Sequence, residues 1–132
     1  HVMDVLKEHP TLGHITTFGG HPVIASAGVA TVNTIQNSTL IEDTLEKEQL
    51  IRSLLKHPLI KEIRGKGLML AALVESPEIA AKIIHRCLAN GLILFFLLFE
   101  GRAIRITPPL TISKKEINKG CKILLKILDE LS

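Results

Sequence analysis

The chain has 132 residues, an apolar fraction of 46%, few aromatic residues and a formal charge of +3. That is one domain's worth of chain, able to bury roughly two thirds of its unfolded surface. Its lysines and arginines are scattered rather than gathered into a stripe, which argues against a nucleic-acid partner. Its most apolar run, residues 92–99 (LILFFLLF), falls well short of the about 20 residues a helix needs to cross a bilayer, which argues against a membrane span.

Residues 2–9 predict a short amphipathic helix stopped by Pro10; they carry acids and lack the apolar core of a signal peptide. Residues 11–20 read as a loop containing Gly13, Gly19 and Gly20. A helix then opens near Pro22, whose missing N–H would be unpaired at the first helical position anyway. Its first half, VIASAGVAT, is rich in small residues and predicts close packing against another element. Ile41, Leu45, Ile51, Leu54 and Leu55 keep helical spacing up to His57-Pro58. The charge-rich stretch 42–52 reads as the solvated face of that helix.

Residues 60–74 read as one strand, bent or bulged at Gly65 and Gly67 ahead of an unbroken apolar stretch. Ser76-Pro77-Glu78 starts a helix and Asn90-Gly91 stops it. Residues 92–99 predict a buried strand, with a greasy wall beside a site as the other reading. Residues 102–107 alternate, with Ile104 and Ile106 on one face and Arg105 on the other. Ser113 and Glu116 have capping-box spacing, and Ile117, Cys121, Leu124, Leu125 and Leu128 form one apolar helix face. Cys87 and Cys121 lie inside predicted helices without partner spacing, as buried free thiols of a reducing, cytoplasmic protein do.

The order from residue 60 onward predicts an α+β fold, a small antiparallel-type sheet covered by helices. Residues 1–39, a loop and a long helix that bury little by themselves, are expected to belong to a different domain from residues 40–132.

Two segments carry chemistry. In TTFGGHPV, residues 16–23, Thr16 and Thr17 offer hydroxyls and N–H groups, Gly19 and Gly20 allow close backbone approach, and a helix N-terminus follows. Those are the parts of a phosphate cradle, although a threonine-capped glycine loop needs no ligand. In AIRITPPLTIS, Arg105 precedes a Pro-Pro turn. A guanidinium suits a carboxylate because it offers two parallel donors in a fixed plane; a solvated edge-strand arginine is the plainer alternative. The histidines lack zinc-ligand spacing, no serine sits in a G-x-S-x-G elbow, and GKGLML lacks the third glycine of a dinucleotide fingerprint.

TTFGGHPV, RGKGLM and AIRITPPLTIS, in that order, resemble the C-terminal part of the fold-type I, class III pyridoxal-phosphate (PLP) aminotransferases, the ornithine and acetylornithine group. The matching family patterns are T-[FY]-G-G-N-P, R-G-x-G-L-M and R-[FIL]-x-P-P-L-x-I, and His21 stands where asparagine is usual. The resemblance spans nearly the whole chain. It implies that residues 1–39 end the large PLP-binding domain and that residues 40–132 form the C-terminal small domain. It further implies a homodimer in which Thr16 and Thr17 contact the cofactor phosphate across the interface, while Arg105 faces an amino acid or oxo acid substrate. The family's Schiff-base lysine lies upstream of the glycine loop, where only Lys7 is found here, in an unrelated context. The chain is therefore expected to be an inactive C-terminal fragment of an enzyme that moves an amino group between an amino donor and a 2-oxo acid or aldehyde. An aminomutase, decarboxylating aminotransferase or racemase on the same scaffold is the alternative within the family. A non-catalytic interaction or dimerisation module is the alternative outside it.

Overall fold

The computed structural model describes Asp4 and residues 15–132; the helix expected over residues 2–9 lies, Asp4 aside, outside the described residues. Two compact units divide the chain, His1–Ser38 and Thr39–Ser132.

In the first unit a loop over residues 15–21 leads into helix α1 (Pro22–Gln36), which begins on its proline. The hydroxyls of Ser26, Thr31 and Thr34 donate to carbonyls one turn back, which lets polar residues sit within a helix. No residue of α1 is buried. The close packing expected of its small residues is thus not met among the described residues, since this unit contributes no second described helix or strand to cover them.

The second unit is a four-stranded antiparallel sheet in the order β1-β2-β4-β3 with three helices on one face. Its elements are α2 (Asp43–Leu54), β1 (Glu62–Lys66), β2 (Met69–Leu73), α3 (Pro77–Ala89), β3 (Phe95–Leu97), β4 (Glu100–Ile106) and α4 (Lys114–Asp129). Strand periodicity sets the core: Leu70, Ala72 and Val74 alternate inward from the second strand and its end, and Ile104 stands opposite Ala72. Ile51 and Leu55, Ile83 and Cys87, and Ile117, Cys121, Leu124 and Leu128 close over them from the three helices. Ser76 caps α3 by accepting from the Ile79 N–H, and Ser113 and Glu116 complete the expected capping box on α4.

Three expectations are corrected. Residues 60–74 form a hairpin, not one bent strand. Gly67, φ +59°, opens a two-residue loop between Lys66 and Met69, and the primed turns that suit such a loop need positive φ at that position. Second, the charged stretch 42–52 is not simply a solvated face. Lys47 is buried and donates to the Leu110 carbonyl at 2.6 Å. Arg52 donates to the carbonyls of Ile63 (2.6 Å) and Gly65 (2.9 Å), and Glu48 accepts from the Gly67 N–H at 2.5 Å. These side chains strap the hairpin to α2, while Ile41 and Leu45 of the expected apolar face are exposed. Third, residues 92–99 are not a buried strand. Only Phe95–Leu97 pairs, at the sheet edge, and Ile93, Phe95, Phe96, Leu98 and Phe99 are all exposed. An edge strand has one neighbour, and α3 packs against it less extensively than against β4.

Candidate functional site

In the glycine loop, the His21 N–H donates to the Phe18 carbonyl at 3.1 Å and closes a turn in which Gly20 has φ +75°. Gly19 leaves room for the Thr16 hydroxyl, which a Cβ there would force to move. The hydroxyls of Thr16 and Thr17 have no hydrogen-bond partner among the described residues. At the helix entry, His21 occupies the N-cap but makes no side-chain cap bond; its ring instead meets the edge of Phe18, with centroids 6.3 Å apart. The N–H groups of Val23 and Ile24 belong to the first turn, where an α-helix has no internal acceptor for them. No acidic side chain stands in that turn. Two hydroxyls without a partner among the described residues and the uncapped start of a helix therefore lie within nine residues of chain, 16–24.

Arg105 lies on β4 between Ala71 of β2 and Phe95 of β3. Its neighbour Ile104 faces the core, so alternation turns the arginine to the opposite face, as expected. The guanidinium carbon sits 5.0 Å from the centre of the Phe95 ring, within cation–π range. Arg52, Arg64, Arg86 and Arg102 each reach a carboxylate, of Glu48, Glu62, Glu130 and Glu100 respectively. Arg105 alone among the described arginines does not. The contrast is sharpest along β4. Arg102 grips Glu100 through Nε and Nη2 at 3.0 and 2.9 Å and holds that carboxyl down to a pKa of about 2.

Arg105 also borders a cleft of about 400 Å³ between the β3–β4 edge and helices α2 and α4. Buried Ile51, Leu55, Ile117, Cys121 and Leu124 form its floor, whereas Phe95, Arg105, Thr107 and Glu116 are exposed at its rim. The Glu116 carboxylate accepts from the Ser113 N–H (2.8 Å) and hydroxyl (2.7 Å), which lowers its pKa and keeps it ionised. Burial pushes the thiol of Cys121, and that of Cys87 in the core, up to about 11. These are protonated, unreactive sulfurs at neutral pH.

Thr16 and Thr17 therefore lie in the first unit and Arg105 in the second. Sequence reasoning missed Phe95, the ring under Arg105. Its aromatic identity is visible in the sequence, but the register that pairs it with Arg105 is a property of the folded sheet. It also missed the cleft, because the segment that forms its rim reads as buried. Among the described residues no three of His, Cys, Asp and Glu are grouped to hold a metal ion, and no helix is long and apolar enough to cross a membrane.

The family model for class-III aminotransferases matches residues 1–128. The chain belongs to that family. Among curated class-III relatives, the acetylornithine aminotransferase of Caldanaerobacter subterraneus subsp. tengcongensis is 34% identical over 89% of this chain and 30% of its own length. The 4-aminobutyrate aminotransferase of Mycobacterium leprae is 37% identical over 86% of this chain and 28% of its own. The leucine/methionine racemase of Thermococcus litoralis is 32% identical over 89% and 29%. Among solved structures, the ornithine aminotransferase of Toxoplasma gondii, whose active site was found partly occupied by PLP, aligns at a TM-score of 0.79 and 29% identity. That alignment covers 98% of this chain and 31% of the parasite enzyme. The class-III chain thus spans about 30% of the length of the relatives it matches.

Proposed function

We propose that this chain is the C-terminal part of a PLP-dependent class-III aminotransferase, with residues 1–39 ending the large cofactor-binding domain and residues 40–132 forming the small domain. The intact enzyme transfers an amino group between an amino donor and a 2-oxo acid or aldehyde, and this segment by itself, without the cofactor lysine, is inactive. The observation that carries the reading is the unpaired guanidinium of Arg105, held at the sheet surface while every other described arginine has a carboxylate.

The residues present fit the cofactor's phosphate. A dianion needs several donors with no side chain in the way, and the Thr16 and Thr17 hydroxyls, without a partner among the described residues, the open side of Gly20 and the uncapped start of α1 supply them. When bound, PLP supplies the electron sink that amino-group transfer requires. The chain's own residues bind and orient. In a homodimer Thr16 and Thr17 hold the phosphate of the partner's cofactor by hydroxyl and amide donation. Arg105 binds the substrate carboxylate as a two-pronged ion pair and so aims the reacting carbon, with the Phe95 ring beside the guanidinium at 5.0 Å. Free, buried Cys87 and Cys121 suit a reducing compartment such as the cytoplasm.

The test is cofactor retention in the full-length protein. Thr17→Val should lower PLP affinity at least about tenfold, the scale of one lost charge-assisted hydrogen bond; unchanged retention on gel filtration counts against the cradle. The racemase relative supports a second reading, racemisation of an amino acid on the same scaffold. Product chirality with a single amino acid as sole substrate separates the two.

A further inference from the structure

Strand register lays a row of side chains across the sheet face away from the helices: Arg64 of β1, Ala71 of β2, Arg105 of β4 and Phe95 of β3. Their chain neighbours Ile63, Ala72, Ile104 and Leu94 belong to the core or pack against it, and alternation turns the row outward. The arginines of this row are held differently. Arg64 lies 2.8 Å from the Glu62 carboxylate. Arg105 has the exposed Phe95 ring as one cross-strand neighbour, 5.0 Å from its guanidinium carbon, and the Ala71 methyl as the other. No hydrogen bond or ion pair engages the Arg105 side chain among the described residues.

These two ways of holding an arginine have opposite consequences for a ligand. A carboxylate partner neutralises the guanidinium and takes up N–H donors that a second carboxylate would need. An aromatic ring attracts the cation through the negative charge of its face, and it brings neither a competing charge nor a carboxylate oxygen. A long side chain that is already restrained also has less rotamer freedom to lose when it binds. We propose that Phe95 is the positioning residue of the carboxylate site, its ring restraining Arg105 without neutralising it, so that the guanidinium stays ready for a substrate carboxylate. This rests on Arg105 being the substrate-side arginine and adds the residue that prepares it. The strand anchors the ring in turn, because Leu94 beside it packs on the core.

The test follows the arginine Nε–H signals of the isotope-labelled chain by NMR while pyruvate, as a probe 2-oxo acid, is added at constant ionic strength. The Arg105 signal should carry a ring-current displacement that Phe95→Leu abolishes and Phe95→Trp retains. Pyruvate should move the Arg105 signal and leave those of Arg52 and Arg102, whose Nε groups donate to Glu48 and Glu100. Those two signals also report that each variant stays folded. Phe95→Leu should weaken the pyruvate response about threefold to tenfold, and Phe95→Trp, which keeps an aromatic face, should restore it. Equal or tighter pyruvate binding in Phe95→Leu overturns the proposal, as does a loss that Phe95→Trp fails to restore. Either result, with pyruvate still moving Arg105 in the unaltered chain, removes only the positioning role of Phe95. If pyruvate leaves the Arg105 signal of the unaltered chain in place, the substrate-side reading of Arg105 falls, and the role of Phe95 with it.

Discussion

At one edge of the sheet, β1 presents Glu62, Arg64 and Lys66 to solvent and is strapped from behind by Arg52 and Glu48 of α2. At the other edge, β3 presents two phenylalanines, and no charge occurs from residue 92 to residue 99. An unpaired strand edge invites pairing with other chains, and charged side chains are a common way to prevent it. The first edge is therefore closed by charge and by its own helix. The second is left apolar, and it is the one beside Arg105. Arginines on the two sides have correspondingly different work. Arg52 satisfies backbone carbonyls on the outer side of an edge strand, whereas Arg105 has no carboxylate partner among the described residues.

The comparison can be broken from the core that supports both edges. Ile83→Ala removes a fully buried side chain under the sheet and should cost about 2–5 kcal/mol in urea unfolding, loosening both edges together. Arg52→Ala should cost about 1.5–3 kcal/mol, because it leaves the carbonyls of Ile63 and Gly65 without their charged donor. Its effect should be local, with faster amide exchange in β1 than in β3. Arg105→Ala should change stability by no more than about 0.5 kcal/mol. Comparable losses from the two arginines would erase the division of labour between the edges. Phe99→Lys, at a fully exposed side chain, should leave the melting temperature unchanged while reducing concentration-dependent self-association in light scattering.

A pH series sharpens the picture of the shared core. Cys87 and Cys121 have folded pKa values of about 11 against an ordinary 9.0, so each holds its proton more tightly in the folded state. Their contribution to stability is complete below about pH 9 and disappears as the pH climbs through about 11. The Cys87→Ala, Cys121→Ala double variant should show a shallower decline over that window. An identical slope would mean the thiols are better solvated than their burial implies.

Legibility in the sequence followed the range of the interactions involved. The caps of α3 and α4, the face of Arg105 and the start of α1 on Pro22 depend on residues within one turn or one pleat of each other. They were readable for that reason. The hairpin was misread as one strand because Gly65 and Gly67 are equally compatible with a bulge, and what selects the turn is Glu48 gripping the Gly67 amide from 19 residues away. Residues 92–99 were misread because a run of large apolar side chains signals burial only when something lies over it, and their place at the sheet edge is a matter of strand order. Lys47 reads as solvent-facing in any local pattern; its acceptor, the Leu110 carbonyl, is 63 residues distant. The threonines and Arg105 were singled out by chemistry and resemblance, but the ring beneath Arg105 and the cleft beside it exist only through tertiary pairing.

The two-residue loop at Gly67 also sets an order of events. Lys66 and Met69 are neighbours in the chain before they are partners in the sheet, so this hairpin can close on the microsecond scale of isolated hairpins, about 1–10 μs. Leu70 and Ile106 are opposite one another only after the intervening α3 segment has been folded back, a loop closure with a much larger entropic cost. In a refolding experiment with pulsed amide labelling, the short hairpins β1–β2 and β3–β4 should therefore gain protection first, and the β2–β4 pairing that joins them should be completed last.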